Sequence, residues 1–80
     1  MKAQEMGRRI RMIRVKVGMS VRELAKRAGL SPSAVSLMER GKIEVTVGEL
    51  ARIAKALGVS PLAILEPDSL LARLPPMPGG

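Results

Sequence analysis

The side chains that carry most enzyme chemistry are missing from this chain. It has no His, no Cys and no Tyr, so scattered Glu, Asp and Lys are the only candidates for proton transfer. Neither a paired-carboxylate motif nor a glycine-rich phosphate loop is found, and no enzymatic activity and no cofactor are expected. The same absences rule out disulfides and the common zinc-ligand sets. What the chain does offer is positive charge, with 14 Lys and Arg against 7 Asp and Glu, a net +7. Its placement is uneven. Residues 1–42 hold eleven basic side chains against three acids, giving +8, while residues 43–80 hold three against four, giving −1. Such asymmetry suits a polyanion docking on one half while the other half meets a protein.

The elements that must position this charge are legible from punctuation and periodicity. Eighty residues suit one small core. A chain that is 46% hydrophobic but 0% aromatic must build it from Leu, Ile, Val, Met and Ala, which favours packed helices over strands. No stretch approaches the roughly eighteen apolar residues of a membrane helix, so a cytoplasmic protein with no membrane partner is expected. Gly18, Gly29, Gly41 and Gly58 each close an apolar-periodic segment, as glycine does where a helix ends in a left-handed residue. Met6, Ile10, Ile13 and Val17 form the stripe of a first helix. Ser20-Val21-Arg22-Glu23 reads as a capping box opening a second, with Leu24, Ala25 and Ala28 inward. Ser31-Pro32 opens a third, from Pro32 to Arg40, with Val35 and Met38 inward. Thr46-Val47-Gly48-Glu49 is a second capping box, and the helix after it buries Leu50, Ile53, Ala54 and Leu57. A short fifth helix should start at Ser60-Pro61 and carry Leu62, Ile64 and Leu65 before Pro67 interrupts it. One domain is expected over residues 1–66, followed by a tail over 67–80 that is disordered at its end.

Two short helices, Val21 to Ala28 and Pro32 to Arg40, joined by a tight glycine-containing turn, make a helix-turn-helix unit. Its helices can cross closely because Ala25 is small, Gly29 tolerates positive φ, and Val35 and Met38 fill the space between them. Through Gly7-Arg8-Arg9-Ile10-Arg11, Gly18-Met19-Ser20-Val21-Arg22-Glu23-Leu24-Ala25, Gly29-Leu30-Ser31, Ser36-Leu37-Met38-Glu39-Arg40-Gly41-Lys42 and Leu57-Gly58-Val59-Ser60, the chain resembles the phage repressor and Cro-like (XRE-type) family over about residues 6 to 66. The resemblance implies an all-α, compact five-helix repressor-like domain whose third helix enters the major groove of double-stranded DNA. It further implies that an arginine of the first helix, here Arg14, pairs with the glutamate near the end of the reading helix, here Glu39, and stays near a phosphate. Two departures stand out. Val21 occupies the place where the family most often has Gln, so only backbone amides there can meet a phosphate. Pro32, Ser33 and Leu37 stand where Gln or Arg is frequent, which leaves the reading helix poor in donors.

The residues expected to approach base edges are Pro32, Ser33, Ala34, Ser36 and Leu37, with Leu37 offering apolar contact to a thymine methyl. Arg14, Val21 through its amide, Arg22, Arg40, Lys42 and Thr46 are expected at phosphates. Val59, Leu62, Leu65, Leu70, Leu71 and Leu74 are expected in a homodimer interface. The function implied is sequence-specific transcriptional regulation on a pseudo-palindromic operator, with no small-molecule ligand evident. The alternative is a protein-interaction module, such as an antitoxin or a partner of the transcription machinery.

Overall fold

Hydroxyls at helix starts and left-handed glycines at helix ends divide the chain into five helices. The computed structural model describes residues 3–65, and among these the elements are α1 (Ala3–Lys16), α2 (Val21–Ala28), α3 (Pro32–Glu39), α4 (Val47–Leu57) and α5 (Pro61–Leu65), with no strand. The all-helical, five-helix expectation holds. Ser20, Ser31 and Thr46 cap α2, α3 and α4 by accepting from the amides of Glu23, Ala34 and Glu49 at 3.0, 3.1 and 3.2 Å. Each hydroxyl satisfies one of the amides that a helix start leaves without a partner. At α4 the box is complete, since Glu49 Oε1 accepts from the Thr46 amide at 2.9 Å. At α2 only half forms. Glu23 turns instead to Arg27, one helical turn on, at 3.3 Å.

The core is one cluster. Ile10, Leu24, Ala25, Val35, Ile53 and Ile64 have no exposed surface, and Ala28, Met38, Leu50, Ala54 and Leu57 are nearly as buried. Each of the larger side chains gains about 1.5–3 kcal/mol from leaving water. Helix α2 packs between α3 and α4, and α1 crosses α3 while also touching α4 and α5. Ile64 closes the cluster from α5, which makes that five-residue helix part of the fold.

One expected core residue is displaced. Val17 is 49% exposed, because α1 stops at Lys16 and Gly18 turns the chain at φ +75°. The Met19 amide then reaches back to the Arg14 carbonyl at 3.0 Å, and Met19 packs on the core in Val17's stead. A Schellman-type ending commonly lays the residue after its glycine on the preceding turn. Arg40 falls just outside α3 as its cap residue, at φ −89°. The tail from 67 onward, including Leu70, Leu71 and Leu74, lies outside the described residues.

Candidate nucleic-acid interface

Small side chains make the site possible. Ala25 and Ala28 are buried in α2, and Gly29, at φ +70°, reverses the chain while Leu30 donates to the Ala25 carbonyl at 2.8 Å. The first turn of α2 and the outward side of α3 thereby come together. Val21, Arg22, Pro32, Ser33, Ser36, Leu37 and Arg40 line one shallow concave surface that carries no acidic side chain. Leu37 and Ser36 are half-buried in it, whereas Arg22, Pro32, Ser33 and Arg40 are exposed. Ala34 is absent from that lining and packs against the core instead. Lys42 is exposed beyond Gly41, and Thr46 is exposed at the start of α4.

Backbone geometry adds donors. The amides of Val21 and Arg22, and those of Val47 and Gly48, lie in the first turns of α2 and α4, where a helix supplies no acceptor and its dipole favours an anion. Capping consumes a lone pair of the Thr46 hydroxyl and leaves its proton free to donate.

Arg14 is held more firmly than an exposed ion pair would be. Its Nε and Nη2 donate to the two carboxylate oxygens of Glu39 at 2.6 and 3.0 Å, and Nη1 donates to the Met19 carbonyl at 2.8 Å. Only 12% and 6% of the two side chains are exposed. The bonds to Glu39 raise the guanidinium's pKa above its ordinary value; burial opposes them, and the charge of Glu39 adds to the rise. Arg14 therefore stays cationic while joining α1, the approach to α2 and the end of α3. Three of its five N–H groups are engaged in these bonds and two remain.

A helix-turn-helix family model matches residues 10–64, well over half of the chain. The chain belongs to the helix-turn-helix family. It is 36% identical over 73 residues to an uncharacterized HTH-type transcriptional regulator of Sinorhizobium fredii, covering 91% of this chain. It is also 36% identical over 65 residues, 81% of this chain, to a hypothetical transcription factor of Neisseria meningitidis. The match spans 36% and 61% of the length of these two curated relatives. Among solved structures, the P22 c2 repressor in complex with a synthetic operator is 38% identical with a TM-score of 0.74, covering 81% of this chain and 98% of that one.

In this helix-turn-helix domain, what sequence reasoning passed over is the packing at two glycines, since Gly41 was read only as a helix end and Gly7 was given no role. Gly7 is buried inside α1, and a Cβ there would overlap the carbonyl oxygen of Met38. Gly41, at φ +70°, lies so near α1 that its Cβ would stand 2.7 Å from Cα and Cγ of Gln4. A glycine in a helix that follows no turn was the available signal for Gly7. Of the expected interface residues on α5 and before it, Val59 and Leu65 rest partly on the core, and Leu62 is 52% exposed.

Proposed function

We propose that this chain is a non-catalytic, sequence-specific DNA-binding domain of a cytoplasmic transcriptional regulator, acting as a homodimer on a pseudo-palindromic operator. The observation that carries the reading is the concave surface of α2 and α3, where small hydroxyls, Leu37 and two arginines stand together without a carboxylate. A duplex presents phosphates at the rim of its major groove and base edges on its floor, and this surface has cations and helix-start amides for the first and short side chains for the second. Helix α3 enters the groove, with Pro32, Ser33, Ser36 and Leu37 towards the bases and Ala34 supporting them from the core side. Arg22, Arg40, Lys42, Thr46 and the amide of Val21 hold phosphates, and Arg14 adds its two remaining N–H groups from beneath. The likeness to a repressor bound to its operator supports the same placement.

Few reading side chains give one domain little discrimination, which favours a two-fold pair. Exposed Leu62, beside half-buried Val59 and Leu65, supports pairing through the α5 side. Selection of bound duplexes from random DNA tests the whole reading. The expected product is an inverted repeat with half-sites about one helical turn, roughly 34 Å, apart. Recovery of no enriched sequence would overturn it.

A further inference from the structure

Helix interiors disfavour glycine, which surrenders more backbone freedom on folding than any other residue. Gly7 nevertheless sits inside α1, buried against the last turn of α3. A Cβ added there would collide with the Met38 carbonyl oxygen and lie 2.8 and 3.0 Å from the carbonyl oxygen and carbon of Glu39. All three are backbone atoms and cannot swing aside as a side-chain tip would. Two further contacts join α1 to the same end of α3. Gly41 closes on Gln4, and Arg14 grips Glu39 through two hydrogen bonds. The C-terminal end of α3 is thus seated on α1, and α3 packs against α2 as well.

We propose that Gly7 is a positioning residue for DNA reading: by letting the α1 backbone touch the end of α3, it sets the angle at which the reading helix is presented. This inference rests on the assignment of α3 as the base-reading helix. Helix α3 has eight residues, a length of about 12 Å. A displacement of about 1 Å at its exit exceeds the spread of good hydrogen-bond distances, whereas long arginine and lysine side chains follow a phosphate over that range. Crowding at Gly7 should therefore damage discrimination between sequences more than general affinity.

The experiment compares wild type with Gly7→Ala on a duplex recovered by selection and on a random duplex, by anisotropy at one salt concentration and a temperature where circular dichroism shows both proteins folded. Affinity for the selected duplex should fall about tenfold or more, the loss expected of a base contact, with the random duplex changed far less. Melting temperature gives a second sign. If nothing touched Gly7, alanine would raise it through helix propensity; the contact predicts a fall. Ala54→Gly, which loosens the core at a distance from α3's exit, should lower the melting temperature and leave the affinity ratio alone. Should Gly7→Ala not fold in plain buffer, the ratio is read for both proteins in the same concentration of sucrose or trimethylamine N-oxide, which favours the folded state by exclusion from the protein surface. An unchanged ratio, or a raised melting temperature in Gly7→Ala, overturns the proposal. A wild-type chain with no preference between the duplexes overturns the base-reading role beneath it, a result separate from either.

Discussion

In the proposed reading, Leu37 and the two cations beyond it divide the labour of recognition. Leu37 is half-buried in the concave surface and lies outside the core cluster. Leu37→Ala should cost about 1 kcal/mol on the best site and much less on random DNA, as measured by anisotropy at fixed salt; equal losses would remove Leu37 from base readout. Arg40 and Lys42 are exposed point charges. Alanine at either should weaken binding to all sequences alike and lower the slope of log K against log salt by about one unit, and an unchanged slope would exclude phosphate contact. The Arg14–Glu39 pair is a different case, because both side chains are largely buried. Arg14→Met alone strands the Glu39 carboxylate, and a loss of about 3 kcal/mol is expected in denaturant unfolding. The double variant Arg14→Met/Glu39→Leu should recover most of it. Full recovery is not expected, since the Met19 carbonyl also loses its donor.

At the scale of elements, the start of α4 caps its helix and, in the proposed reading, also meets a phosphate, and one substitution can separate the two. Thr46 caps the helix, and its hydroxyl proton stands free for a phosphate. Thr46→Ala should cost about 1 kcal/mol of stability through the lost cap. Thr46→Asp keeps an acceptor and places a negative charge where the helix dipole welcomes it. Stability should then stay near wild type while DNA affinity falls by repulsion from phosphate. Preserved affinity in Thr46→Asp, measured beside its thermal melt, would reduce the residue to a cap. The element boundaries themselves were open to local reasoning, because a hydroxyl three residues before an amide and a glycine with no Cβ act over one turn. The half-formed box at Ser20 shows the limit: whether Glu23 reaches back to the cap or forward to Arg27 depends on a neighbour one turn on.

Across the whole molecule, positive charge is segregated but apolar surface is not, since Met12 and Val15 are exposed among the cations of α1, Val47 at the start of α4 and Leu62 on α5. The positive half of the chain includes α1 to α3 and the turn after them, while the near-neutral half ends the described fold with α5 and its exposed Leu62. A carboxylate at Leu62 would be buried against its own copy in a dimer formed through α5. Leu62→Glu should therefore lower the sedimentation-defined dimer affinity by about tenfold or more, and leave the melting temperature of the dilute monomer nearly unchanged. A wild-type chain that sediments as a monomer at micromolar concentration would remove the dimer from the reading.

Residues that act on neighbours three or four positions away were determined by the sequence alone. Ser31 as a cap, Gly29 and Gly58 as left-handed stops, and the inward sides of α2 and α4 all follow from helical period and the shape of one side chain. The make-up of the concave surface of α2 and α3 was partly legible too, since Ser33, Ser36 and Leu37 lie off the inward row of α3. Only the tertiary structure decided what happens between segments far apart in the chain. It exposes Val17 and lays Met19 on the core, because one turn of α1 more or less reverses which of them faces inward. Ala34 goes to the core for a similar reason, since the side it occupies is covered by elements that α3's own period does not describe. The approach of Gly7 to the carbonyls of Met38 and Glu39, which leaves no room for a Cβ, joins residues some thirty positions apart. A missing side chain carries no periodicity, and only a second backbone pressed against it shows why it is missing.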